Sequence, residues 1–289
     1  MEGDLSNRYL LYIDLLGFAD MTVRDPRKVA RLYSIVDSLN SHRHDLFRTI
    51  VFSDTILVYN HKDPQNDEER DYLVWYLIEF AEDLHHRLTG QDIYFRGIVC
   101  SGDFEHYSLK NIECFYGGAL VNAYLSEKNI DCAGLFIDGH CNTHNKYFRT
   151  AKYTDDFNFV YLNRHLEYLD QFVGSTYPSN QHHLDDQAPF APYQVRYLED
   201  LYRTMRNHSS PRARVKLLTS WDFHALRYPR MTEALVQGNF DISYLTPRTN
   251  WSEVQKAMND SIKHFKRIGA GTPHSVSISS KPRKRRPHV

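Results

Sequence analysis

The chain has 289 residues, 42% of them hydrophobic and 25% charged, with a formal net charge of −1. That length suits a globular protein with a large buried core, and the near-zero charge excludes a surface built broadly for nucleic acid or anionic membrane. The opening residues MEGDLSN lack the features of a secretory signal, and the four cysteines (Cys100, Cys114, Cys132, Cys141) show no CxxC pairing. No apolar run approaches the roughly 18 residues of a membrane span. The expectation is a cytoplasmic protein with reduced thiols and neither a membrane nor a specific nucleic acid as partner.

Residues 8–14 read as a first strand, left through a tight turn, Leu15-Leu16-Gly17-Phe18. Asp25-Pro26 then opens a helix, with Asp25 as cap and Pro26 at the first helical position. Residues 47–53 and 55–59 are two extended runs that meet at Ser53-Asp54, a hairpin. A long amphipathic helix over 67–88 follows, carrying Leu73, Tyr76, Leu77, Phe80 and Leu84 on one stripe. It ends at Thr89-Gly90, before another strand over 93–100. This β-α-β-β-α-β order is the split ferredoxin-like arrangement. A short extended piece lies near 106–109, a helix opens at Gly117-Gly118, and 134–137 form a further strand. Beyond residue 142 the pattern loosens: residues 174–189 read as a long loop, and helices are expected over 192–205, 212–226 and 251–267.

Two apolar strands each carry one aspartate, Asp14 in YLLYIDLLGF and Asp54 in TIVFSDTILVY. A buried carboxylate is costly unless it is paired, protonated or bound to a cation. Arg8, Arg48 and Arg96 are available as structural partners. Alternate strand residues share a face, so Leu10, Tyr12 and Asp14 point one way, as do Ile50, Phe52 and Asp54. If the strands are neighbours, the two aspartates converge at one sheet edge. Beside them the amides of Leu16, Gly17 and Phe18 form a turn suited to phosphate. Two carboxylates, two hard cations and a phosphate cradle are the parts of two-metal phosphoryl chemistry. The cluster His140-Cys141-Asn142-Thr143-His144 has no second ligand group at finger-like spacing and is not read as a zinc site.

The blocks YIDLLGF, TIVFSDTILVY, FRGIVCSGD and YGGALVNAYLSEK resemble, in order and spacing, the core of the class III nucleotide cyclases. RGIVCSGD and GALVNAY are similar to the Pycsar pyrimidine cyclases of bacterial anti-phage defence. The resemblance spans roughly residues 9–137. It implies that Asp14 and Asp54 bind two Mn²⁺ or Mg²⁺ ions, with the Leu15 carbonyl as a further ligand and Leu16, Gly17 and Phe18 around the phosphates. Asn122 matches the asparagine that orients the ribose from the other subunit, which implies a homodimer with shared active sites. The substrate would be a nucleoside triphosphate and the product a 3′,5′-cyclic monophosphate, a second messenger for a separate cyclic-nucleotide-activated effector; the chain is read as a freestanding synthase.

Three positions depart from the purine-cyclase pattern. The two base-reading polar residues are replaced by Ile50 and Phe115, which points to a pyrimidine, UTP or CTP, without choosing between them. The transition-state arginine is replaced by Ser126, with Arg96 as first candidate to supply the charge and Lys128 as second. The alternatives are a degenerate cyclase-like module that binds nucleotide without turnover, and an ordinary adenylate cyclase. The expected architecture is α/β (α+β): a ferredoxin-like βαββαβ catalytic core over 7–140, a mostly helical extension over 141–268 packed on the core or the dimer partner, and a disordered basic tail over 269–289.

Overall fold

Strand β1 (Asn7–Leu15) builds two cores at once. Tyr9, Leu11, Ile13 and Leu15 enter one apolar cluster, while Leu10 and Tyr12 enter another on the opposite face. In the computed structural model, which describes residues 7–39 and 44–268, β1 is an interior strand of a seven-stranded sheet. The tail expected over 269–289 lies outside the described residues.

After β1 come α1 (Phe18–Arg24), α2 (Pro26–Asp37), β2 (Phe47–Phe52), β3 (Thr55–Asn60), α3 (Asp67–Leu88) and β4 (Phe95–Asp103). The four strands lie in the order β2-β3-β1-β4 with antiparallel neighbours, the ferredoxin-like arrangement the sequence predicts. Local chemistry sets the helix ends. Asp25 accepts from the Lys28 amide at 3.2 Å, and Asn66 accepts from the Glu69 amide at 2.9 Å. In α3, acidic residues fill the first turn and His85, His86 and Arg87 the last, which complements the helix dipole.

A hairpin of β5 (Glu105–Ser108) and β6 (Glu113–Tyr116) stands apart as its own two-stranded sheet. Next are α4 (Gly118–Asn129), β7 (Gly134–Asp138), α5 (Gly139–Thr143), β8 (Thr150–Lys152) and β9 (Phe157–Val160). The sheet therefore continues past residue 140, through β7 and β9 to β8. Strands of three and four residues carry too little alternation to be seen in sequence, as does the brief β6.

The remaining chain is helical: α6 (Arg164–Val173), α7 (Leu184–Gln187), α8 (Ala191–Asn207), α9 (Pro211–Arg227), α10 (Pro229–Gln237), α11 (Ile242–Leu245) and α12 (Ser252–Ile268). Three of these match the expected helices, and α6 and α10 add to them. Their core is built around Leu166, Leu198, Leu201, Met231, Leu235 and Trp251, with Leu16 and Tyr94 packed against it. Gly90 donates its amide to Asp200 Oδ2 at 3.0 Å, Tyr94 and Thr204 hydroxyls lie 3.0 Å apart, and Arg164 Nε donates to Glu82 Oε1 at 2.9 Å. These helices thus rest on the chain's own sheet domain. No described helix is long and apolar enough to cross a membrane.

Candidate active site

Asp14 is the penultimate residue of β1, flanked in register by Thr55 on β3 and Arg96 on β4. Asp54 follows Ser53 in the two-residue turn between β2 and β3, so it sits at the tip of the hairpin rather than within a strand. Ser53 has φ +56°, the left-handed backbone such tight turns require, and Tyr33 donates its hydroxyl to the Ser53 carbonyl at 2.9 Å. The amide of Leu15 donates to the Asp54 carbonyl at 2.9 Å, which locks the hairpin tip to the end of β1. The sequence-predicted pair is thereby brought to one end of the sheet.

Asp14 is only 20% exposed at its side chain. Burial pushes its carboxyl above the ordinary range; the Arg96 charge opposes that, and the Asp54 charge pushes it further up. The phenol of Tyr12, on the same face, is raised by burial, with Asp14 and Asp54 adding to the effect. The Asp54 carboxylate forms no hydrogen bond or ion pair among the described residues. Two carboxylates that repel each other, one with its oxygens unengaged, are a donor set that fits hard divalent cations. The described residues hold no cluster of three or more His, Cys, Asp or Glu side chains, so further ligands must come from backbone, water or substrate. The Leu15 carbonyl, between Asp14 and the turn, is the expected backbone ligand.

The turn expected to cradle phosphate offers fewer free amides than the sequence suggests. The Leu16 amide donates to the Tyr94 carbonyl at 2.9 Å and is not available to a ligand. The amides of Gly17 and Phe18 have no acceptor among the described residues. Gly17 has φ +74° and open space where a side chain would stand.

Arg96 reaches Asp14, with Nη2 3.3 Å from Oδ2, but its side chain is only 6% exposed. The same guanidinium is paired with Glu127 of α4 and donates to the Ile130 carbonyl. The two Nη groups of Arg96 are thus engaged inside the protein, by Asp14, Glu127 and the Ile130 carbonyl, while its buried Nε has no partner among the described residues. Lys128 is exposed and held by the Tyr124 hydroxyl at 2.6 Å, and Ser126 brings no charge. Glu127 is marked in the sequence by its spacing. Ala119, Ala123 and Glu127 form the buried i, i+4, i+8 stripe of α4, and a glutamate there requires a buried cation.

Ile50 packs at the edge of the cluster containing Leu57 and Tyr59. Phe115, on β6, lies 4.4 Å from His106, which is hydrogen-bonded to the Tyr59 hydroxyl. Through His106, Phe115 thus reaches the same buried cluster that Ile50 packs against, and neither residue offers a polar group. Asn122 is exposed on α4, and no hydrogen bond or ion pair ties it to the Asp14–Asp54 end. Around it Val121, Tyr124 and Leu125 are 54%, 46% and 52% exposed. The start of α4 is fixed by Gly117, at φ +152°, where a Cβ would collide with the Asp103 carbonyl oxygen. Gly118 donates its amide to Asp103 Oδ2 at 3.0 Å.

No family model and no curated protein matches the chain. Solved structures do. The adenylyl cyclase CyaB from P. aeruginosa is 10% identical, over 56% of this chain and 96% of that one, with a TM-score of 0.40. The catalytic core of a rhodopsin-guanylyl cyclase with converted specificity, in complex with ATPαS, is 14% identical over 54% of this chain and 95% of its own, with a TM-score of 0.43. A non-canonical dimeric guanylyl cyclase domain of the RhoGC fusion protein from the aquatic fungus Blastocladiella emersonii is 14% identical over 54% of this chain and 94% of its own, with a TM-score of 0.41. At these identities and scores the functional reading rests on the residues of this chain.

Proposed function

We propose that the protein is a nucleotide cyclase that converts a pyrimidine nucleoside triphosphate, UTP or CTP, to the 3′,5′-cyclic monophosphate and pyrophosphate. The observation that carries this reading is the convergence of Asp14 and Asp54 at one end of a ferredoxin-like sheet, locked by the Leu15–Asp54 backbone bond. The ordered sequence blocks that resemble class III cyclases support it.

In this reading Asp14, Asp54 and the Leu15 carbonyl hold two Mn²⁺ or Mg²⁺ ions, which supply the positive charge that makes the ribose 3′-hydroxyl acidic and the pyrophosphate a good leaving group. The 3′-oxygen bonds to the α-phosphorus as the α–β bridging P–O bond breaks, and the hydroxyl proton passes to water. Arg96, braced by Glu127, keeps the Asp14 carboxylate ionised and aimed. The Gly17 and Phe18 amides donate to the phosphate oxygens. Ile50 and Phe115 line the base pocket; with no polar partner for a purine's ring edge, they favour the smaller base.

Asn122 orients the ribose of the partner subunit's site, so the enzyme works as a homodimer. Exposed apolar residues support such an interface: Val121, Tyr124 and Leu125 on α4, and Tyr107, Leu109, Ile112 and Tyr116 on and around the β5–β6 hairpin. By its likeness to the Pycsar enzymes, the product is read as a second messenger of anti-phage defence acting on a separate effector.

Incubating the purified protein with each of the four ribonucleoside triphosphates and Mn²⁺ tests activity and base choice together. Cyclic product from UTP or CTP in preference to ATP and GTP supports the reading. Equal ATP turnover returns it to an adenylate cyclase, and binding without product makes it a nucleotide-binding module.

A further inference from the structure

Helix α9 of the C-terminal region crosses the face of the sheet towards the proposed site, and its contacts trace the path. Phe223 stacks on Phe159 of β9, with ring centroids 4.3 Å apart and planes at 7°. One turn earlier, Ser220 Oγ accepts from the Ala133 amide at 2.9 Å, just before β7. The residue after Ala133, Gly134, pairs in register with Arg96 of β4, and Arg96 pairs with Asp14 of β1. Each turn of α9 advances about 5.4 Å, and each strand is about 4.8 Å from the next. Walking back along the helix from Phe223 therefore walks across the sheet from β9 towards β1.

The residue one turn before Ser220 is Lys216, and one turn before that is Arg212, on the same helix stripe. Lys216 is partly buried. It forms no hydrogen bond or ion pair through its ammonium among the described residues. Asp14 and Arg96 both lie within its electrostatic reach, as do Arg212 and Asp131. Burial, together with the neighbouring Arg96 and Arg212 charges, makes that ammonium less stable than in water. A partly buried cation that has Arg96 and Arg212 beside it, and no direct ion pair with Asp14 or Asp131 among the described residues, is arranged to receive a polyanion. The other basic groups near the site are engaged: Arg96 with Asp14 and Glu127, and Lys128 with Tyr124.

We propose that Lys216 of α9, with Arg212 beside it, contacts the triphosphate of the substrate bound at Asp14 and Asp54 and stabilises the charge that builds on the transferring phosphoryl group. This rests on the cyclase reading above. Lys216 stays protonated throughout; the bond that forms is 3′-oxygen to α-phosphorus, the one that breaks is α-phosphorus to the bridging oxygen, and the hydroxyl proton goes to water. The C-terminal region is then part of the active site, and the enzyme draws from this extension the charge that Ser126 and the committed Arg96 do not provide.

Full-length Lys216→Met and Lys216→Arg are compared with wild type for turnover of the preferred triphosphate, for affinity towards that triphosphate and the corresponding nucleoside, and for thermal unfolding. The expected result is a kcat lowered about 100-fold or more in Lys216→Met, partial recovery in Lys216→Arg, weakened triphosphate binding with nucleoside binding unchanged, and an unaltered melting temperature. Wild-type kcat and triphosphate affinity in Lys216→Met overturn the proposal. So does a loss that follows a lowered melting temperature and also affects the nucleoside. If wild type forms no cyclic product, the cyclase reading fails, and the triphosphate-against-nucleoside comparison still decides whether Lys216 meets the phosphates.

Discussion

At the residue scale the decisive feature is a carboxylate held against a second carboxylate and steadied by one buried arginine. Arg96 and Glu127 are 6% and 7% exposed at their side chains, so neither charge has much water to fall back on. Replacing Glu127 with alanine leaves the guanidinium buried and short of its anion, and is predicted to lower stability by about 3–5 kcal/mol in urea unfolding. The two aspartates were legible in the sequence because each interrupts an apolar run. Their spatial meeting followed from strand alternation and the ferredoxin-like order. The burial of Arg96 and the placement of Lys216 were not legible. Arg96 looked available until burial and the Glu127 contact placed it. Lys216 lies 202 positions beyond Asp14 in the sequence, and only the packing of α9 brings it near.

At the scale of single elements, α4 and α9 carry the consequences. Gly117 allows α4 to start hard against the Asp103 carbonyl at a backbone angle other residues rarely adopt. Gly117→Ala is predicted to cost about 2–4 kcal/mol, read as a lower melting temperature, and to impair turnover by displacing Asn122. In α9, His224 is fully enclosed, and burial lowers its pKa from 6.5 to about 4. Below pH 6.5 the unfolded chain takes up a proton that the folded chain refuses. The contribution is therefore intact above 6.5 and is lost as pH falls towards 4, at up to about 1.4 kcal/mol per pH unit. Denaturant unfolding across that range measures the slope, which His224→Gln should flatten. Helix α3 was readable to the residue because caps, end charges and stripe all agree. The brief strands β6, β8 and β9 and the seven-residue α1 were not, since each is shorter than the period needed to identify it.

At the scale of the whole molecule, the fold divides into a sheet domain that holds the carboxylates and a helical region that leans on it through Leu16 and Tyr94. Leu16 and Tyr94, joined by the bond from the Leu16 amide to the Tyr94 carbonyl, both pack against that region, so it lies next to the turn that follows Asp14. The reading also requires two copies. Charging the exposed apolar face with Tyr124→Asp and Leu125→Asp is predicted to yield monomers by sedimentation and to abolish turnover. Mixing inactive Asp54→Ala with inactive Asn122→Ala should restore about a quarter of wild-type turnover if subunits exchange at random, because one site of each mixed dimer is intact.

The central claim is that Asp14 and Asp54 together drive cyclisation of a nucleoside triphosphate. Its most direct test is phosphorus NMR of the products formed from UTP and CTP with Mn²⁺ by wild type, Asp14→Ala and Asp54→Ala. The account predicts equal amounts of 3′,5′-cyclic monophosphate and pyrophosphate from wild type and neither from the two variants. Cyclic product that persists in either variant, or a wild-type product that is a linear mono- or diphosphate, would contradict it.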